Sequence, residues 1–192
     1  MKIRQLFILF FSVVFSIIFS QTKKNNFNLM IGFDVLNLGL AKFTDQEMSQ
    51  VFVSYEVKPK KHLILDIGYE INKYNKNAYN FIAEGNFIRA GMLYMFNTEY
   101  DDIQNGFYIG GKFAASFYSQ NIKSIPIKGS VGIRNSEFSF PWSYQYAYWL
   151  EGAVGGRVRV LRTRFFVDAQ IQPKYLFIST KQENIIPMVI PG

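Results

Sequence analysis

From Phe27 onward, apolar and polar positions of the chain alternate with a period of two. In "FNLMIGFDV" the apolar set is Phe27, Leu29, Ile31, Phe33 and Val35, facing away from Asn28, Met30, Gly32 and Asp34. "VFVSYEV" sets Val51, Val53, Tyr55 and Val57 against Ser54 and Glu56, and "LILDIGYEI" sets Leu63, Leu65, Ile67, Tyr69 and Ile71 against Asp66, Gly68 and Glu70. "FIRAGMLYMF" places Arg89 and Gly91 opposite Ile88, Ala90, Met92, Tyr94 and Phe96. "FYIGGKFAASF" places Gly110, Lys112 and Ser116 opposite Phe107, Ile109, Gly111, Phe113, Ala115 and Phe117. In "YAYWLEGAVGGRVRV" one face is Tyr146 to Val160 by twos, without charge, and the other holds Glu151, Arg157 and Arg159. "RFFVDAQIQPKYLF" is the seventh such stretch, with Asp168, Gln170, Gln172 and Lys174 on its polar side. Side chains of a strand point alternately to its two faces, so strict alternation predicts seven β-strands. Pro173 has no amide hydrogen and is expected to weaken the last ladder locally.

The spacing between these stretches predicts an up-and-down order. Segments 37–50, 72–80 and 119–145 are long connections, whereas "KPKKH" (58–62) and "LRT" (161–163) are short. Long and short connections that alternate are the habit of outer-membrane barrels, with short periplasmic turns and longer external loops. The expected fold class is therefore all-β, an antiparallel up-and-down transmembrane β-barrel, eight strands when complete with about seven present in this chain.

The decisive question is which face points inward. A soluble barrel of the lipocalin type turns its apolar set inward, which would leave Gly68, Gly110, Ala114, Ala153 and Gly155 on a solvated surface. A narrow membrane barrel turns the apolar set toward lipid, and the small residues then leave room inside for paired charges. The second arrangement accounts for more of the pattern. It also fits the aromatic content, 20 Phe, 12 Tyr and 2 Trp in 192 residues, which is heavy for a soluble domain of this size.

The first twenty residues, "MKIRQLFILFFSVVFSIIFS", combine Lys2 and Arg4 with an apolar run from Leu6 to Phe19 and a small residue, Ser20. This is the pattern of an export signal, with cleavage expected between Ser20 and Gln21, leaving residues 21–192 as one barrel domain. Cleavage lowers the formal charge from +7 to +5. The chain has no cysteine, so neither disulfides nor lipoprotein acylation is open to it. Beyond residue 20 no apolar run is long enough for a membrane helix, which leaves a barrel as the means of spanning. The basic residues are scattered rather than gathered with aromatics into a phosphate-tracking run, so no nucleic-acid partner is expected.

"GFYIGGKFAASF", "YWLEGAVGGRVRVLRTRFFVDAQIQPKYLF" and the tail "MVIPG" resemble a family of small Gram-negative outer-membrane β-barrel proteins catalogued as a porin-like domain of unknown function. The resemblance covers about residues 27–192 and implies an outer-membrane barrel with no known substrate or reaction. It also implies a further strand beyond "VIPG". Since single-chain bacterial barrels have even strand numbers, the reading frame is expected to continue into an aromatic-ended strand, with residues 178–192 an irregular tail near the external rim of an incompletely closed barrel.

Catalytic chemistry finds little support. His62, the one histidine, lies in "KPKKH" without a Ser or acid partner at a useful spacing, and reads as a solvated turn residue. "GAVGG" and "IGG" do not open helices and lack the following Lys-Ser/Thr of a phosphate loop. No Cys/His or acid-rich ligand spacing is present, so neither metal nor cofactor is expected. The informative set is the inward charges: Glu56, Asp66, Glu70, Arg89, Lys112, Glu151, Arg157, Arg159, Asp168 and Lys174. Five acids and five bases in a narrow lumen predict a paired plug, with Asp168 the first candidate partner for Arg157, since unpaired buried charge is costly. The expected protein is a non-enzymatic barrel in outer-membrane lipid whose external loops, above all 119–145, meet a protein or ligand partner. The alternatives are a narrow porin or small-solute transporter, and a soluble exported lipocalin-like ligand-binding barrel.

Overall fold

The computed structural model describes residues 29–40, 44–96, 105–127, 136–160, 163, 165–180 and 189–192. The expected signal segment, residues 1–20, lies outside them. In chain order the elements are β1 (Leu29–Phe33), α1 (Val35–Leu40), β2 (Gln46–Lys58), β3 (Lys61–Lys76), β4 (Tyr79–Phe96), β5 (Gly106–Ile127), β6 (Ser136–Arg159), β7 (Phe166–Ile171) and β8 (Lys174–Ser179). Every neighbouring pair is antiparallel and the order follows the sequence. This is the up-and-down, all-β arrangement that the alternation predicts.

β7 and β8 are two halves of one strand. Both pair with β6, β7 along Val154–Arg159 and β8 along Ala147–Glu151. The break falls at Gln172 and Pro173, where proline cannot donate to the ladder. The Pro173 carbonyl still accepts from Gly152 N at 2.9 Å, so the two halves stay in line.

The strands reach further than the alternation does, which corrects three connections. Segment 72–80 is not a long loop: the β3–β4 ladder runs to Lys76↔Tyr79 and closes at Asn77–Ala78, both with positive φ. That geometry belongs to the two-residue hairpin turns whose twist matches the strands. Segment 119–145 is mostly strand, paired to Ile127↔Ser136, which leaves only 128–135 outside the described strands. Within 37–50, β2 already begins at Gln46. Asp34 and Val35 also leave the predicted first strand. Asp34 caps α1, its Oδ1 accepting from Asn37 N at 3.0 Å and its Oδ2 from Asn37 Nδ2 at 2.7 Å. The alternation fades in the β5 extension because Ile122 and Ile125 fall on opposite parities among Gln120, Asn121, Lys123 and Ser124, where the register also shifts.

The sheet is strongly curled. Arg89 on β4 donates to Gln50 Oε1 on β2 at 3.0 Å and reaches Glu151 Oε2 on β6 at 3.5 Å. In a flat sheet β2 and β6 would stand roughly 19 Å apart, four strand spacings, so one side chain meets both only across a concave face. Closure is incomplete: among the described residues β1 pairs only with β2, and β7 and β8 only with β6.

Burial separates the two faces. Outward positions such as Ile31 (67% exposed), Phe107 (69%) and Val167 (63%) are large and apolar, and on the open-edge strand β8 Tyr175, Leu176, Phe177 and Ile178 are all exposed. The concave face holds the buried charges and two apolar clusters. One is Ile64, Leu93, Met95, Tyr108 and Ala153 with Phe52; the other is Phe87, Ala114, Tyr118, Ala147 and Trp149 with Met48 and Ile190. Several aromatic residues, Phe87, Tyr108, Tyr118 and Trp149, lie in these inward clusters. They fit because glycines lie beneath them: a Cβ on Gly68 would come within 2.2 Å of Phe87, and one on Gly155 within 2.5 Å of the Tyr108 hydroxyl. Among the described residues no helix is long and apolar enough to cross a membrane, which leaves strands out of account.

Candidate functional site: the concave charge network

Alternation alone sends the ten charged residues to the concave side, and the curl brings most of them into contact. Glu56, Asp66, Glu70, Arg89, Lys112, Glu151 and Arg157 are buried, Asp168 and Arg159 partly so, and Lys174 is half exposed beside the open edge. Lys112 Nζ donates to Asp66 Oδ2 at 2.6 Å, joining β5 to β3. Arg157 Nε donates to Asp168 Oδ2 at 2.8 Å, so the pair expected between adjacent strands is present. Glu151 is shared: Arg89 at 3.5 Å, Lys174 at 3.9 Å and the indole Trp149 Nε1 at 2.7 Å.

Glu70 is held differently. Its Oε1 accepts from Gln46 and Asn72 side chains at 2.7 and 2.8 Å, and its Oε2 from the backbone N of Gly192 at 2.6 Å. Glu56 stands opposite His62 in the β2–β3 register, and Arg159 lies over the Phe166 ring at 5.2 Å. At the far end of β3, beyond the apolar band, the hydrogen bond and charge of Glu47 raise the Lys73 ammonium above its ordinary pKa. That pair is exposed at 2.9 Å and adds little to stability.

Three features of the site were not legible in the pattern. His62 is fully buried on the concave face rather than solvated in the turn, because β3 begins at Lys61 and gives His62 inward parity. Neither ring nitrogen has a hydrogen-bond partner among the described residues. Second, neutral side chains extend the network: Gln50 and Gln172 accept from Arg89, and the Tyr108 hydroxyl donates to Asp168 Oδ1 at 2.6 Å. Their parity was available, but a search for charge passes over them. Third, the stretch 178–192 expected as an irregular tail at the rim differs where it is described: Ile178 and Ser179 belong to β8, and residues 189–192 leave the rim. Val189 sits there beside Thr44, Asp45 and Lys73, and the chain then runs inward to a fully buried Pro191 and to Gly192 against Trp149 and Phe87. No periodicity marks such a segment, because it forms no ladder.

Among the described residues no three His, Cys, Asp or Glu side chains gather as metal ligands. Burying these charges carries a desolvation cost that the pairs and their added hydrogen bonds offset, so removing one partner of a pair is costlier than the pair is stabilising.

The chain belongs to the family described as Domain of unknown function (DUF6048), whose model matches residues 4–192. No curated protein and no solved structure matches it.

Proposed function

We propose that the protein is a non-enzymatic, porin-like outer-membrane β-barrel of a Gram-negative cell, exported by a cleaved signal peptide, with a charge-plugged lumen. The observation that supports this most is the segregation of the two faces. Apolar side chains cover the convex side from β1 to β8 while the ion pairs lie on the concave side. Soluble monomers rarely expose contiguous apolar patches above a few hundred Å², whereas hydrocarbon is the natural solvent for such a surface. On β3 the apolar positions run from Leu63 to Ile71, about the nine residues a tilted strand needs to cross a bilayer. A soluble lipocalin-like barrel requires the opposite arrangement, with the apolar set inside.

In this reading lipid hydrocarbon is the principal partner. The connections at the end bearing Asn77–Ala78 and 128–135 face outward from the cell and carry any protein or ligand contact, with no role for nucleic acid. The pairs Lys112–Asp66, Arg157–Asp168 and Arg89–Glu151 occlude the lumen, so the narrow-pore alternative predicts a conductance that the plugged barrel lacks. The test is cell fractionation with detergent extraction and heat-modifiable electrophoretic mobility, followed by single-channel recording in planar bilayers. Recovery in detergent-soluble outer membrane with no channel steps is expected. Recovery in the aqueous periplasm would overturn the membrane reading, and regular channel steps would replace the plug with a pore.

A further inference from the structure

The segment Val189–Gly192 is seated on the concave face as a ligand is seated in a site. It makes no ladder with any strand, yet its main chain is gripped at both polarities: Glu70 Oε2 accepts from Gly192 N at 2.6 Å, and Lys174 Nζ donates to the Gly192 carbonyl. Glu70 is itself buried and oriented by Gln46 and Asn72. Ile190 packs on the Phe87, Ala114, Tyr118, Ala147 and Trp149 cluster, and Pro191 is fully enclosed. At Gly192, φ is +130°, and an added Cβ would stand 2.7 Å from the Trp149 ring and 3.3 Å from Phe87 Cβ. Position 192 therefore accepts glycine and excludes a side chain, on both conformational and steric grounds.

We propose that these walls form a peptide-recognition site, and that residues 189–192 are a tethered ligand occupying it. The chemistry it selects is a short, neutral, extended segment reading branched aliphatic, proline, glycine. The acid and the ammonium hold the main chain, the apolar cluster holds the aliphatic side chain, and Trp149 enforces the glycine. A tethered segment competes at an effective concentration near the millimolar range, so a free peptide enters only when the tail leaves. The proposal does not depend on whether the sheet lies in a membrane.

Trp149 reports on occupancy. Trp142→Phe, at an exposed position, leaves it as the one tryptophan of the full chain. In detergent-folded protein its emission should be shielded from acrylamide. Adding Pro191→Asp and Gly192→Val should expel the tail and increase quenching severalfold, and Lys174→Met in the full chain should do so in part. Acetyl-Val-Ile-Pro-Gly-amide should then restore shielding in the tail-expelled protein, and a version with alanine for glycine should bind roughly tenfold more weakly or worse. Equal quenching in the parent, Lys174→Met and tail-expelled proteins would overturn the seating of the tail. A folded, tail-expelled protein that does not discriminate the glycine peptide from the alanine peptide would overturn recognition. Should the double variant fail to fold, Lys174→Met in the full chain decides the seating, and quenching equal to the parent's in that folded variant would count against it.

Discussion

Ala78 carries a backbone conformation that suits glycine better. It sits at φ 64° in the turn after Asn77, where a Cβ is unfavourable and a tight hairpin still demands the left-handed region. Ala78→Gly is expected to stabilise the fold by about 1 kcal/mol in reversible urea unfolding, less whatever flexibility glycine adds to the unfolded chain. Gly91 is the opposite case. A Cβ there would stand 2.1 Å from the Gly111 carbonyl oxygen on β5, a backbone atom that cannot rotate away. Gly91→Ala should cost about 1–3 kcal/mol by the same measurement and disturb the β4–β5 ladder. The Arg157–Asp168 pair offers a residue-scale test of the network. The Tyr108 hydroxyl also donates to Asp168, so removing either partner leaves buried polar atoms behind. A double-mutant cycle with Arg157→Ala and Asp168→Ala should give a coupling of about 1–3 kcal/mol, and strict additivity would show the pair to be energetically idle.

At the scale of the element, the strands differ in what their two sides demand. β3 alternates without exception from His62 to Glu70, buried inward and exposed outward, and its outer positions form the middle of the apolar band. Ile67→Lys places a cation there. If hydrocarbon covers that face the substitution should cost about 2–4 kcal/mol and depress assembly in vesicles. In aqueous solution the same change at a position 55% exposed would be nearly neutral, so the size of the loss reports the solvent. The turns give a second element-scale prediction. Protease added to intact cells should cut within 128–135 and spare Pro59–Lys60, at the opposite end of the sheet. Cleavage confined to the latter would invert the proposed orientation.

At the scale of the whole molecule, the network joins elements distant in sequence. Arg89 binds residues of β2 and β6 together with Gln172, and the tail links β3, β4, β6 and β8 through Gly192. These contacts span the concave face that backbone pairing leaves open between β1 and the β7–β8 strand, so they help to hold the curl where no ladder does. The same contacts fill the interior. This is the ground on which the proposed membrane reading takes a plugged lumen over a conducting one, and why single-channel recordings are the measurement that bears on the whole molecule.

Strand positions, their antiparallel succession and the parity of all ten charged residues were determined by the sequence, because a side chain in a strand has only two directions and the alternation states which one it takes. The weakness at Pro173 was determined in the same local way, by a missing amide hydrogen. Strand lengths were not, since Ile122 and Ile125 in Ser119–Ile127 fall on opposite parities among Gln120, Asn121, Lys123 and Ser124 and break the period of two. Nor were the partners. Asp168 faces Arg157 across one ladder and could be named in advance, but Lys112 meets Asp66, and Arg89 meets Gln50 and Glu151, only because the sheet bends through several strands. The burial of His62 rested on a one-residue matter of where β3 begins. The seating of Val189–Gly192 depended on space left between distant strands, which no local pattern encodes. Direction is a property of the strand; contact is a property of the curl.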